Sequence, residues 1–208
     1  MNIFSPNMLK TFEQCQKKYY FRYVENLNAP QKSEPFEKGK RIHALANYCL
    51  RGDDISNLEK TLNSQEMAIW ESLKSNEYFN KTYVNSEYNL SCKVGDFWVG
   101  GRLDALVKDD EHYYILDYKT GEVPKNAEFD YQTMVYLLCV SKFLKDCKEI
   151  SFVYIDLKNN VNHKIDLTQD LSKKYEEKLV KIINQIESSQ NFQADKTACK
   201  YCEYNKFC

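Results

Sequence analysis

Two carboxylates and a lysine near the middle of the chain are the residues best suited to chemistry. Asp104 ends the tetrad Gly101-Arg102-Leu103-Asp104, and Asp117 and Lys119 lie in Leu116-Asp117-Tyr118-Lys119-Thr120-Gly121. In a strand, Asp117 and Lys119 are two apart and point to one face. If the strand carrying Asp104 is its neighbour, the two carboxylates converge and repel unless a cation lies between them. Hard oxygen donors of this kind suit Mg²⁺ or Mn²⁺. Lys119 beside such an ion would supply positive charge to a phosphate or orient an attacking water. An Asp-x-Lys triplet alone arises by chance in most chains of this length. The weight falls on order: Gly-x-x-Asp, then Asp-x-Lys on the next strand, then a helix.

A second set is sulfur. Cys199, Cys202 and Cys208 form Cys-x2-Cys-x5-Cys. Three thiolates do not close a four-coordinate site, so a fourth is wanted from Cys15, Cys49, Cys92, Cys139 or Cys147. Cys92 falls in an expected strand, and Cys139 and Cys147 in or just after an apolar helix, so burial accounts for them. Thiolates alone do not separate a structural Zn²⁺ from an iron–sulfur cluster.

The elements that must position these groups follow from pattern. Ser5 and Pro6 read as N-cap and first residue of a helix, with Met8, Phe12, Cys15 and Tyr19 on one face. Further helices are expected from about Glu37 to Leu50, with His43 on it, and from about Leu58 to Leu73. Tyr83 to Cys92, Phe97 to Val107 and His112 to Tyr118 are rich in aromatic and β-branched residues. Gly95-Asp96 and Asp109-Asp110 between them read as hairpin turns, so an antiparallel meander is expected. A helix from about Ala127 to Leu144, strands from Ile150 to Leu157 and Val161 to Leu167, and a helix from Thr168 to about Ser188 complete the order. This is an α/β fold with a mixed sheet flanked by helices.

The 208 residues suit a single domain over 1–208, with a helical N-terminal segment to about 75 and a cysteine tail from about 191. A formal charge of −1 excludes a polycation that coats nucleic acid by bulk charge. Residues 1–50 nevertheless carry eight Lys and Arg against four Glu, which suggests a local basic entrance. The N-terminus lacks a signal-peptide pattern and no apolar run is long enough to span a bilayer, so a soluble, cytoplasmic chain without a membrane partner is expected. In a reducing compartment, clustered cysteines read as metal ligands or catalytic groups before disulfides.

The order of these motifs resembles the PD-(D/E)XK nuclease superfamily, in its RecB-like branch. Gln132-Thr133-Met134-Val135-Tyr136 matches that branch's Gln-x-x-x-Tyr motif, Gly39 to His43 its Gly-x-x-x-His element, and Ile115 to Gly121 its third motif. Leu103-Asp104 stands where the superfamily has Pro-Asp. The resemblance implies a restriction-endonuclease-like core and a metal-dependent deoxyribonuclease, with exonuclease action favoured. It implies metal held by His43, Asp104, Asp117 and the backbone carbonyl of Tyr118, with Glu87 as a further acidic residue. Lys119 would be catalytic, and Gln132 and Tyr136 would support the site and contact DNA. Phe12 to Tyr23 resembles the first cysteine motif of AddB-type nucleases, with Gln16 where those have proline. That likeness implies a [4Fe–4S] cluster on Cys15, Cys199, Cys202 and Cys208, with zinc as the alternative. The partners implied are single-stranded DNA or duplex ends, and a helicase or other recombination protein, since the chain has no Walker A motif. Its size also resembles the Cas4-like nucleases of CRISPR adaptation.

Overall fold

Two tight turns organise the centre of the molecule. Gly95, at φ +58°, and Asp110, at φ +51°, each open a two-residue hairpin loop, with Val94 facing Phe97 and Asp109 facing His112 across them. They join β2 (Thr82–Val94), β3 (Phe97–Asp109) and β4 (His112–Lys119) into the expected antiparallel meander. The computed structural model describes residues 2–28, 34–144 and 147–208.

Among the described residues, the sheet has six strands. β5 (Glu149–Asp156) runs parallel to β4, and β6 (Val161–Asp166) returns antiparallel at the edge. The sixth is β1 (Ile3–Phe4), which the sequence pattern did not signal because it is only two residues long. It lies parallel to Trp98 and Val99 of β3, on the edge that β4 occupies further along, from Ala105 to Asp109. Two strands therefore share one edge of β3, and Gly100 to Asp104 are left between them.

Helices cover both faces. α1 (Pro6–Gln14), α6 (Tyr131–Phe143) and α7 (Gln169–Ser188) pack on one face through Leu9, Phe12, Leu137, Leu179 and Ile183, against Ile115, Phe152 and Tyr154 of the sheet. α3 (Glu34–Leu50) and α5 (Ser64–Lys74) cover the other face through Ile42, Ala46, Trp70 and Leu73, against Val107, Leu116 and Val153. Residues alternate cleanly between the faces on β4 and β5. On β3 the alternation slips, since Leu103 joins the first cluster and Ala105 the second. The slip falls at Asp104.

Three expected helices are broken where side chains compete for backbone hydrogens. Cys15 is extended (φ −164°, ψ 110°) and ends α1, while its Sγ caps the short α2 (Gln16–Tyr19) through the Lys18 N–H. The helix expected from about Leu58 is two: α4 (Ser56–Glu59), then α5, which begins at a capping box of Asn63 and Glu66. The helix expected from Ala127 opens as a 3₁₀ turn (Ala127–Phe129), and α6 starts afresh behind the N-cap Asp130. α3 starts at Glu34, before its expected Glu37. Among the described residues, no helix is long and apolar enough to cross a membrane.

Candidate active site

The site lies where β3 and β4 part. Their ladder ends at Ala105 opposite Leu116. Beyond it the Tyr118 N–H finds a side chain in place of a strand carbonyl: it donates to Asp104 Oδ2 at 3.1 Å. On the far side of the opening, the Arg102 carbonyl accepts the Tyr136 hydroxyl at 3.0 Å. A Cβ at position 101 would sit 2.9 Å from that oxygen, so glycine is what lets Tyr136 reach across. The parted strands allow groups from opposite faces of the sheet to meet, α3 supplying His43 and α6 supplying Gln132.

His43 Nδ1 lies 3.3 Å from Asp104 Oδ1, and its Nε2 is 2.9 Å from the Tyr118 carbonyl. One ligand atom each from His43, Glu87 and Asp104 fall within 4.8 Å of one another. Glu87 reaches this group from β2, between Ser86, paired with Ala105, and Tyr88, paired with Leu103. Its φ of +47° is rare for a residue with a side chain. Burial disfavours the charged imidazole of His43. The hydrogen bond and charge of Asp104, with the charge of Asp117 and the Tyr118 carbonyl, outweigh it and hold the group up at about 9.

Asp117 and Lys119 share a face, as their spacing predicts, with Lys119 Nζ 2.7 Å from Asp117 Oδ2. Gln132 closes a triangle: its Oε1 accepts from Lys119 at 2.9 Å and its Nε2 donates to Asp117 Oδ1 at 3.1 Å. Burial pushes the Asp117 carboxyl up, Lys119 pulls it down, and Asp104 pushes it up again. Asp117 Oδ2 and the Tyr118 hydroxyl are buried without a hydrogen-bond partner of proper angle among the described residues. Asp117 Oδ2 faces Lys119, and Asp117 does not join His43, Glu87 and Asp104 within 4.8 Å among the described residues. That imidazole and its two carboxylates, with the Tyr118 carbonyl next to His43, are a donor set that suits Mg²⁺ or Mn²⁺. Sequence reasoning missed Asp130, whose Oδ1 caps Gln132 at 3.0 Å and whose Oδ2 pairs with Lys10 at 2.9 Å. An Asp just ahead of an apolar helix was the available signal.

Cys15, Cys199, Cys202 and Cys208 gather at the other end of the N-terminal segment. Cys15 Sγ accepts the Lys18 and Asp195 N–H groups, each at 3.4 Å, and Cys202 Sγ accepts the Tyr204 N–H at 3.4 Å. Burial raises the Cys208 thiol, and the charges of Cys199, Cys202 and Cys15 raise it further, which puts the four within electrostatic reach. No three of these sulfurs lie within 4.8 Å of one another among the described residues. Gln16 is itself engaged with the tail, its Oε1 accepting the Gln193 N–H at 3.2 Å. Of the four other cysteines, Cys92 and Cys139 are buried, but Cys49 and Cys147 are only partly so, and burial explains them less fully than expected.

The model of the PD-(D/E)XK nuclease superfamily matches residues 3–91 and 59–208. The chain belongs to the PD-(D/E)XK nuclease superfamily. Among curated relatives of this superfamily member is the CRISPR-associated exonuclease Cas4 of Francisella tularensis subsp. novicida (strain U112), 29% identical over 124 residues. That match covers 58% of this chain and 61% of the relative, so the chain spans less than two thirds of the protein it matches. A crystal structure of a candidate exonuclease from Eubacterium rectale superposes with a TM-score of 0.60 at 12% identity, covering 98% of this chain and 88% of that one. At that identity the likeness speaks for the fold alone.

Proposed function

We propose that the chain is a Mg²⁺- or Mn²⁺-dependent deoxyribonuclease, acting as an exonuclease on single strands or duplex ends. The observation that carries this reading is the meeting of two groups at the parted strands: His43, Glu87 and Asp104 on one side, and the Asp117–Gln132–Lys119 triangle on the other. His43, Asp104, Asp117 and the Tyr118 carbonyl would hold the metal, with Glu87 as a further acidic ligand. Bound there, the ion would supply positive charge to the scissile phosphate and make water a stronger nucleophile. Lys119, anchored by Gln132 and Asp117, keeps its ammonium fixed for the charge that develops on the phosphate oxygens. Gln132 orients both partners. Tyr136 is 6% exposed with its hydroxyl on Arg102, which supports a positioning role over DNA contact.

The cysteine set would hold a [4Fe–4S] cluster. Zn–S bonds of about 2.3 Å bring sulfurs to roughly 3.8 Å apart around one tetrahedral zinc. The N–H groups aimed at Cys15 and Cys202 support thiolate ligands of either kind, and the AddB-like first motif favours the cluster. The whole of 1–208 would then act as one unit, with the tail clipped to the N-terminal helices.

DNA recombination or repair, beside a helicase or other recombination protein, is the pathway that the AddB-like first motif supports. The likeness to the Cas4 exonuclease supports a second reading, trimming of DNA for CRISPR adaptation. The test is cleavage of end-labelled single- and double-stranded DNA with Mn²⁺ or Mg²⁺. Lys119→Ala and Asp104→Ala are each expected to lower turnover by about 10²-fold or more. Activity that survives both substitutions sinks the site assignment.

A further inference from the structure

The nuclease reading does not use Arg102. Its Nε lies 2.8 Å from Glu87 Oε2, and Glu87 is also one of the three donors clustered with His43 and Asp104. One carboxylate thus belongs to a candidate metal set and to an ion pair at once. The arginine end of that pair is open, with a side chain 63% exposed against 25% for Glu87. The other cations of the site are more committed: Lys119 is 23% exposed within its triangle, and Lys10 is 43% exposed on Asp130. The backbone of Arg102 is pinned by Tyr136, so the side chain is rooted at a fixed point of the rim. Glu87 is held from β2 by an uncommon backbone conformation, not by a freely swinging arm.

Resting on the nuclease reading, we propose that Arg102 is a phosphate-binding residue for the DNA strand, kept on Glu87 in the metal-free protein and given up to the DNA when that carboxylate is drawn into the metal set. A guanidinium carries five donors in a planar fork that fits a phosphate, and one contact on Nε occupies only part of it. Glu87 has the opposite preference. Paired with Arg102 it is a poorer ligand for a cation, and freed from Arg102 a better one. The pair would thus couple metal occupancy to DNA affinity through one shared carboxylate.

The test reads binding, not cleavage, on the full chain. DNA affinity is followed by fluorescence anisotropy of a short labelled single strand in EDTA, and Mn²⁺ affinity by calorimetry without DNA. In the Glu87→Gln background, where the guanidinium is free, Arg102→Ala should bind the strand about tenfold more weakly, as loss of one charge-assisted phosphate contact implies, and in the wild-type background the loss should be smaller. The salt slope should fall by about 0.7 in the Glu87→Gln background, and Arg102→Ala alone should bind Mn²⁺ several-fold more tightly. Glu87→Gln should bind the strand more tightly in EDTA, and this gain should vanish in the Arg102→Ala background. A gain that persists there is general charge relief and overturns the proposal. So does DNA affinity that Arg102→Ala leaves unchanged in the Glu87→Gln background, or weakening of both DNA and Mn²⁺ binding by Arg102→Ala, which marks a structural arginine. If Arg102→Ala fails to fold by circular dichroism, Arg102→Gln takes its place in the cycle. Wild-type protein that binds as described but cuts nothing with Mn²⁺ would sink the nuclease reading and leave the pairing standing. Wild-type cutting with a flat cycle sinks the pairing alone.

Discussion

At the scale of single residues, the site is a problem in proton accounting. His43 sits between Asp104 and the Tyr118 carbonyl, and in the metal-free protein keeps its proton to about pH 9 against an ordinary value of 6.5. A histidine that ligates Mn²⁺ must be the neutral imidazole. Mn²⁺ binding at pH 7.5 is therefore expected to release about one proton, and the apparent affinity to rise with pH until about 9. Calorimetry in buffers of different ionisation enthalpy measures this directly, and His43→Asn should abolish the release. The sign for stability runs the other way. A pKa raised on folding stabilises the metal-free protein fully below 6.5, and that contribution fades as pH rises through 9. Asp104, Asp117 and Lys119 were legible in the sequence because their order is itself a pattern. Arg102 was not, because its significance lies in a partner fifteen positions away, Glu87 across the ladder. Glu87 in turn shows its placement only through a backbone angle that no residue type announces.

At the scale of elements, the decisive feature is an edge shared by β1 and β4. Gly101 and Tyr136 hold the space between them, and their fit is testable. Gly101→Ala should cost about 1–3 kcal/mol, since the new Cβ meets Tyr136 Oη at 2.9 Å and Cε1 at 3.2 Å. Tyr136→Phe should cost about 1 kcal/mol by leaving the Arg102 carbonyl unpaired. The two changes should couple, with Gly101→Ala costing less in the Tyr136→Phe protein, as denaturant titrations would reveal. The meander was readable from Gly95-Asp96 and Asp109-Asp110 because turn chemistry is local. The breaks at Cys15, Asn63 and Asp130 were not, because helical periodicity runs on through a capping residue that ends one helix and starts the next. β1 was invisible for a different reason. Two residues form a strand there only because the exposed edge of β3 offers them a ladder.

At the scale of the molecule, charge and sulfur both bear on how the N-terminal segment is held. Among the described residues of 1–50, several of the cations that make up the basic excess have partners. Lys10 pairs with Asp130, Lys18 with Glu203 and Arg41 with Glu66, while Lys17 lies over the rings of Tyr20 and Phe21. Much of that charge fastens the N-terminal segment to the rest of the chain. The cysteines continue the same fastening, with Tyr204 donating to the Leu27 carbonyl and Phe21 packing on Tyr204 and Phe207. Cys15→Ser should bleach any visible absorbance of anaerobically purified protein and lower its stability by about 2 kcal/mol or more, a Tm fall of roughly 4–8 °C. Absorbance and Tm unchanged from wild type would remove Cys15 from the ligand set.

The contact from the Asp195 N–H to Cys15 spans 180 residues. A ribosome finishes every strand of the sheet, and His43, Asp104, Asp117 and Gln132 with them, before it makes the segment that carries Asp195. The nascent chain can thus assemble its carboxylates while its first helix is still unclasped. Clasping would follow assembly of the sheet, timed by the arrival of the segment that carries Asp195.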